Sequence, residues 1–458
     1  MPFVRSGPDA RFPFWGQTLY SNSVQNREIK PVERPVCGVV RVPGSKSITN
    51  RALALAALAT GPTELTGALF ADDTARMMDC LRSLGFEVEE RPEQASIRVT
   101  GQGGRIPRDR AELFVGNSGT TARFITPLLA LGYGEYFIDG VPRMRERPIS
   151  DLIGALKQLG VDIESSGGSG CPPLRVRATG LRGGACTVRG DTSSQFLSGL
   201  LIASPCAEGK EMRLTLDGPL LSAPYVTLTA DIMRAFGVSV EEAVEGGLYV
   251  VPAGRAYDSP GTYAIEPDAS SASYFWAAAA ITGGSVRVEG IGRQSLQGDA
   301  KFVEVLGAMG CDVAYTDDAI TVTGNGAPRG GRFDMNAISD TAMTLAAVAV
   351  FADSPTSIEN VGHIRHKETD RLRAIANELG RLGVRVEERA DGITIHPAAN
   401  LNPATIKTYD DHRMAMAFAL IGLRSPGVAI ADPDCVRKTF PDYFVCLEQL
   451  TEASELPQ

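Results

Sequence analysis

Histidine is scarce in this chain, with four in 458 residues, at 363, 366, 396 and 412. That is too few, and too scattered, for an obvious metal centre. The eight cysteines, at 37, 80, 171, 186, 206, 311, 435 and 446, form no C-x-x-C pair and show no metal-ligand spacing. Scattered reduced thiols in a cytoplasmic protein are therefore expected, rather than a disulfide framework or a zinc site. Polybasic runs are missing and the net charge is −9, which argues against nucleic acid as a partner. Long apolar runs are missing too. Charges or Gly/Pro breaks interrupt the Ala-rich stretches within 18 residues, so no membrane span is expected. The first thirty residues hold Pro2, Pro8, Pro13, Asp9 and the aromatic group Phe12, Phe14 and Trp15, with no apolar h-region. They do not read as a secretory signal. A P-loop fails as well: Lys46 follows Ser45, not the glycine that G-x-x-x-x-G-K-[ST] requires.

What is present is ordinary in bulk and regular in detail. Hydrophobic residues make up 43% and charged residues 22%, as in a globular protein, and the length implies two or three domains. Five amphipathic stretches end in glycine: Met77–Leu84 before Gly85, Ile149–Leu159 before Gly160, Leu228–Phe236 before Gly237, Phe302–Met309 before Gly310, and Leu372–Leu382 before Gly383. The glycines are 75, 77, 73 and 73 residues apart, and each suits a helix C-terminal stop. A second kind of helix alternates with these. It is apolar nearly all round, and its copies start near Ser47, Ser118, Ser193, Ser270, Asp340 and Asp411, each followed by a short β-branched strand. Helices apolar on every side are buried. The pattern implies six helix–strand–helix–strand–strand units, the last cut short by the C-terminus, three to a domain. The crossings fall near Val39–Val42 and Tyr263–Ile265, which places one domain at 44–262 and the other at 1–43 plus 263–458, with residues 1–25 as an extension.

The buried-helix starts carry the chemistry-bearing residues. Pro43-Gly44-Ser45-Lys46-Ser47-Ile48-Thr49-Asn50-Arg51 joins a capped helix start to two cations, which suits an anion. Gly116-Asn117-Ser118-Gly119-Thr120-Thr121-Ala122-Arg123 offers donors around a glycine that permits close backbone approach. Three arginines in five residues, at 143, 145 and 147, precede the next helix. One turned into a cleft would bind carboxylate or phosphate through its fork. Thr192-Ser193-Ser194-Gln195 offers hydroxyls and an amide, with Ser222 and Tyr225 further on. Asp268-Ala269-Ser270-Ser271 has no basic partner nearby and reads as structural. Asp340 reads as a helix cap or a general base. His363-Ile364-Arg365-His366-Lys367-Glu368-Thr369-Asp370-Arg371 is the densest charge cluster. Taken as a helix start, it would put Lys367, Asp370 and Arg371 on one side with Glu368 adjoining. For each segment the plain alternative is a capped helix with a solvated charged face.

In this order, PGSKSITNR, GNSGTTAR, RMRERPI, SSQF, KETDRL, DDHRMAMA and KTFPDYF resemble the motifs of the 5-enolpyruvylshikimate-3-phosphate (EPSP) synthase family, from about Val39 to Phe444. The resemblance implies an α/β fold of two inverse, barrel-like domains, each of three βαβαββ units, with the active site in the cleft between them. It implies transfer of the enolpyruvyl group of phosphoenolpyruvate to the 5-hydroxyl of shikimate 3-phosphate, with release of phosphate, no metal and no cofactor. The family's contacts carry over as follows. Shikimate 3-phosphate meets Lys46, Ser47, Arg51, Ser193, Ser194, Gln195, Ser222, Asp340, His363 and Lys367. Phosphoenolpyruvate meets Lys46, Asn117, Gly119, Arg147, Gln195, Arg371, Arg413 and Lys438. Asp340 accepts the hydroxyl proton, and Glu368 with Lys46 protonates C3. Arg123 supports the Asn117–Thr120 loop.

The chain departs from the family pattern at His363, where some members have Asn, and at Phe124, where many have Pro or Leu. Phe124 is bulky enough to shift Gly119 and alter the phosphoenolpyruvate pocket. The resemblance also makes glyphosate an expected inhibitor and a monomer the expected state. The competing expectations are a UDP-N-acetylglucosamine enolpyruvyl transferase and a silent anion-binding protein on the same scaffold. The first typically has Lys-Asn where Lys46-Ser47 stands; the second would have lost some of the charged set that is intact here.

Overall fold

The computed structural model describes residues 26–243 and 247–455; the extension expected at 1–25 lies outside them. Twelve α-helices occur among the described residues. In chain order they are α1 (Lys46–Leu58), α2 (Asp72–Ser83), α3 (Gly119–Ala130), α4 (Ser150–Gln158), α5 (Ser194–Ala203), α6 (Pro224–Ala235), α7 (Ala269–Thr282), α8 (Phe302–Ala308), α9 (Ala342–Ala349), α10 (Arg371–Arg381), α11 (His412–Gly422) and α12 (Tyr443–Glu455). The odd-numbered helices are buried on nearly every side. Side-chain oxygens of Ser45, Ser118, Ser193, Asp268 and Asp411 cap five of them, satisfying amides that would otherwise be orphaned. The even-numbered helices bury one face. All five stop glycines adopt positive φ, from +81° to +95°, the left-handed conformation that closes a helix.

Each unit builds one small sheet, and the first five share the same order. The first strand lies parallel to the second, which pairs antiparallel with the fourth, which pairs antiparallel with the third. In the second unit these are Arg110–Phe114, Tyr133–Asp139, Leu174–Thr179 and Asp162–Ser165. The buried helix makes the parallel crossover, as a βαβ unit requires. Three sheets borrow a strand from a distant segment. Cys37–Val40 runs parallel to Ser285–Glu289 and so completes the first sheet of the second half. Thr262–Ala264 runs parallel to Glu64–Thr66 and completes the first sheet of the first half.

The apolar core divides accordingly. One cluster extends from Ile48 to Ile265. The other joins Ile29, Val36, Val40 and Val42 to residues 269–450. By core membership the change of side falls between Ile265 and Ala269, slightly beyond 262/263, because Thr262–Ala264 still belongs to the first sheet. The sixth unit has two parallel strands of its own, Ala404–Ile406 and Val428–Ile430, and takes Arg27–Glu28 as an antiparallel third. The N-terminal segment thus supplies an edge that the truncated unit lacks. Trp276 sits at the centre of the second core, fully buried, and its Nε1 donates to Ile320 O at 3.2 Å, which satisfies its one polar atom.

The two crossings lie side by side. Ser45 N donates to Glu266 O at 2.8 Å and Asp268 N donates to Pro43 O at 2.8 Å, around a bridge between Gly44 and Pro267. A methyl group at Gly44 would overlap the Gly67 carbonyl oxygen and lie 3.1 Å from Leu69 N. Gly44→Ala is expected to cost ~1–3 kcal/mol in urea unfolding. Gly154→Ala, at a helical site with nothing within 4 Å of the added carbon, is expected to stabilise by up to ~1 kcal/mol.

Candidate active site

The first residues of α1, α3 and α5 meet at one place. Lys46 and Ser47, Gly119 and Thr120, and Ser194 and Gln195 line a single cavity, whose other half is formed by Asp340, Lys367, Glu368 and Arg371 from the second core. Three helix N-termini converging on one point put their partial positive charge there. The wall also holds five cations (Lys46, Arg51, Arg147, Lys367, Arg371) against three carboxylates (Asp73, Asp340, Glu368), a surplus of two in a chain of net charge −9. The cavity measures about 30 Å³, room for no more than a few waters, so the two halves are nearly in contact here.

On the first half, Ser45 caps α1, leaving Lys46 N free to donate to Asp268 Oδ2 at 3.1 Å. Arg51 is clamped by Thr229 Oγ1 at 2.7 Å, Ser47 O at 2.9 Å and Tyr225 O at 3.1 Å. Its guanidinium lies 5.0 Å from the Phe124 ring centre, and burial pushes its pKa down to about 10. Phe124 is thus taken up in the core beneath Arg51 and does not line the cavity, so its bulk acts on Arg51, not on Gly119. Arg147 donates to Asn117 O at 2.9 Å and Oδ1 at 3.3 Å. Arg123 donates to Gly119 O at 3.1 Å and Pro148 O at 3.1 Å, which holds the Asn117–Thr120 loop. A methyl at Gly119 would overlap Arg147 Nη2 and lie 2.6 Å from Arg123 Nη1. Gln195 Nε2 donates to Thr120 Oγ1 at 3.1 Å, while the Ser193 hydroxyl is occupied in capping α5. Ser222 is held at φ +51°, a strained conformation for a non-glycine residue, and reaches across to Asn336 O, Ser339 Oγ and His363 Nε2 at 3.2–3.3 Å.

On the second half, Asp340 sits in a 3₁₀ turn, Asn336–Thr341, ahead of α9 and makes no capping bond. Its carboxylate meets Arg413 Nη2 at 2.7 Å, Arg371 Nη1 at 3.2 Å and Lys367 Nζ at 4.0 Å. Burial pushes its pKa up, but Arg413, Lys367, Arg371 and Lys46 outweigh that and hold it well below the usual range. Glu368 accepts from Arg371 Nη2 at 2.9 Å; burial raises its pKa, yet Arg371, Arg147 and Lys438 prevail and keep it low. Lys367 is driven down to about 8, chiefly by burial. His363 donates to or accepts from Ser339 Oγ at 2.9 Å, and burial together with Lys367 lowers it to about 4, so it is neutral at pH 7. Arg413 also reaches Ser270 Oγ at 3.3 Å, and Lys438 donates to Asp73 Oδ1 at 2.7 Å and Asn117 O at 3.0 Å across the cleft.

Two expectations need correction. Lys367 and Glu368 are not on a helix: Asp370 caps α10 by accepting from Arg373 N at 3.0 Å, so the helix begins only at Arg371 and the pair lies in the preceding loop. The Asp268 start is not without a basic partner, since Ser270 Oγ accepts from Arg413 Nη2 at 3.3 Å. The sequence reading also missed Asp73, which bridges Lys46 (3.6 Å) and Lys438, and Asp411, which accepts from Arg371 Nε at 2.7 Å. An Asp in the first turn of a helix carries no local sign of a partner 365 residues away. Of the three neighbouring arginines, Arg147 enters the site, Arg145 pairs with Asp139 on the surface, and Arg143 crosses the cleft.

Two α/β domains that close a cation-lined cleft around paired carboxylates define an enzyme class that takes up and encloses small anionic substrates. The comparisons narrow it. The EPSP synthase (3-phosphoshikimate 1-carboxyvinyltransferase) family model matches residues 31–447. A 3-phosphoshikimate 1-carboxyvinyltransferase of Nostoc punctiforme is 48% identical over 93% of this chain and 99% of its own length. The Vibrio atlanticus protein of that name is 46% identical over 93% and 100%, and the chloroplastic one of Brassica napus 48% over 93% and 85%. A solved EPSP synthase from Acinetobacter baumannii superposes with a TM-score of 0.76 at 26% identity, covering 93% of this chain and 98% of that one. The chain belongs to the EPSP synthase family.

Arg143 donates from Nε to Glu368 O at 3.1 Å and from Nη2 to Lys367 O at 3.1 Å, holding the loop of the second half against the first. Arg143→Ala is expected to loosen closure, read as a larger radius of gyration in small-angle scattering. Arg145→Ala, which removes an exposed ion pair worth ~0–1 kcal/mol, should leave the radius unchanged.

Proposed function

We propose that this chain transfers the enolpyruvyl group of phosphoenolpyruvate to the 5-hydroxyl of shikimate 3-phosphate and releases phosphate. The observation that carries this reading is near-full-length identity of 46–48% to curated 3-phosphoshikimate 1-carboxyvinyltransferases, together with the intact charged set around the cleft. In the reaction C3 of phosphoenolpyruvate gains a proton, the hydroxyl oxygen bonds to C2, and a tetrahedral ketal forms. Loss of a C3 proton and of phosphate then gives the enol ether. The cleft must bind two phosphates and two carboxylates, accept one proton and deliver another.

Asp340 suits the proton-accepting role. The cations around it keep it ionised in the free protein. Anionic substrates would share those cations, and its proton affinity would then rise toward the value a base needs. Glu368 with Lys46 suits delivery to C3: as phosphoenolpyruvate engages Arg371, Arg147 and Lys438, the same redistribution raises the affinity of Glu368 for a proton. Lys46, Ser47, Arg51, Ser193, Ser194, Gln195, Ser222, His363 and Lys367 are assigned to shikimate 3-phosphate. Asn117, Gly119, Arg147, Gln195, Arg371, Arg413 and Lys438, with Lys46, are assigned to phosphoenolpyruvate. Glyphosate is assigned as an inhibitor on the ground that Gly119 carries no methyl against Arg147. We take the domains as 44–262 and 1–43 plus 263–458, the working unit as a monomer and the compartment as the cytoplasm; no described helix is long and apolar enough to cross a membrane.

Phosphate release should require phosphoenolpyruvate together with shikimate 3-phosphate and should not occur with UDP-N-acetylglucosamine; release with neither acceptor refutes the activity. Asp340→Ala should lose ~10²–10⁴-fold in turnover while the ternary complex still forms by calorimetry. Lys367 adds a pH signature. Its folded pKa of about 8 means the charge that attracts phosphate is lost as pH rises through 8. KM for shikimate 3-phosphate should climb there in the native protein and stay flat in Lys367→Arg.

A further inference from the structure

Asp340 has a counterpart in an opposite environment. Asp299, in the 3₁₀ turn Gly298–Lys301 of the second half, is 5% exposed. Its Oδ2 accepts from the Tyr225 hydroxyl of the first half at 2.6 Å, and its Oδ1 is buried with no hydrogen-bond partner among the described residues. The same Tyr225 oxygen lies 3.5 Å from Asp340 Oδ2. Because the phenol's single proton is committed to Asp299, its lone pairs are free to face Asp340. Asp340 is ringed by Arg413, Arg371 and Lys367, whereas the charged groups that act most strongly on Asp299 are Asp340, Arg413 and Asp268, two carboxylates against one cation. Two carboxyls of contrasting surroundings joined through one phenol form a short proton wire.

We propose that Asp299, acting through Tyr225, receives the proton that Asp340 takes from the acceptor hydroxyl. The proposal rests on Asp340 being the base. The steps balance. The hydroxyl O–H breaks and its proton bonds to Asp340 Oδ2. That proton then passes to the Tyr225 oxygen as the Tyr225 proton passes to Asp299 Oδ2. Asp340 returns to carboxylate, Tyr225 is again a phenol, and Asp299 ends as a neutral acid. The 3.5 Å separation must shorten on substrate binding, as catalytic hydrogen bonds commonly do. Burial keeps Tyr225 protonated, its pKa pushed well above 10. Burial and the nearby Asp340 raise Asp299 to about 7, so it is a carboxylate able to take a proton above pH 7 and is filled below. Asp299 does not touch substrate; it is a positioning residue that keeps the base unloaded.

The test is the pH profile of kcat from 5.5 to 9, with shikimate 3-phosphate affinity measured alongside. The native protein should lose turnover as pH falls through about 7. Asp299→Asn keeps an acceptor for Tyr225 but cannot gain a proton. It should lose roughly 10- to 100-fold in kcat at pH 8, show no acid limb near 7, and bind shikimate 3-phosphate normally. Tyr225→Phe should lose a similar amount, and the double variant no more than either single one. Native turnover with an intact acid limb in Asp299→Asn, beside an inactive Asp340→Asn, overturns the relay and leaves the base assignment standing. Reduced turnover with the limb retained also overturns it, since Asp299 would then only prop Tyr225. An active Asp340→Asn overturns the base assignment and the relay together.

Discussion

The cost of keeping charge out of water governs this molecule. Lys46, Arg371, Arg413, Lys438, Asp73, Glu368 and Asp411 are all at most 8% exposed. An isolated buried ion costs several kcal/mol, so none of these side chains is tolerable without the others. Arg371 answers Asp340, Glu368 and Asp411 at once, and Lys438 answers Asp73 from the opposite half. The remaining surplus of positive charge is met by what the cleft is built to hold. The fold serves the same constraint: buried helices whose capped starts converge bring N–H groups and dipoles to the site without bringing solvent.

Much of this was legible in the sequence because the repeat is written in backbone chemistry. Glycine at a helix stop and serine or aspartate at a helix start are local requirements, and they recur wherever the unit recurs. The five stop glycines and the buried helices stand close to where the spacing put them. The borrowed strands were legible only as a suspicion, since Cys37–Val40 and Thr262–Ala264 are short and unremarkable until their partners are known. The site was legible in its residue types, and resemblance to the family supplied their assignments. What could not be read was partnership over long separations. Asp73 resembles any first-turn acid, Asp299 any turn aspartate, and Arg143 any of three arginines in a row.

One error is instructive. The His363–Arg371 stretch was expected to start a helix and so place Lys367 beside Arg371 by helical spacing. Asp370 ends that possibility by capping the helix from inside the stretch. The two cations meet the same carboxylate, Asp340, anyway, because a loop folded over the helix start brings Lys367 and Glu368 to the side a helix would have given them. The chemistry is kept and the geometry is carried by tertiary contacts, Arg143 foremost.

The paired crossings have a mechanical meaning. A single peptide link between two bodies is a ball joint, and it permits rotation about any axis. Two links side by side, tied by hydrogen bonds between Ser45 and Glu266 and between Pro43 and Asp268, behave as a pair of hinge pins. They suppress twist and sideways rocking and leave one swing. Movement of one half against the other is thereby restricted toward a single swing, which keeps facing residues in register. Lys46, one residue beyond the pin, is near the axis and moves least. Lys438 and Asp73 need no search to find each other.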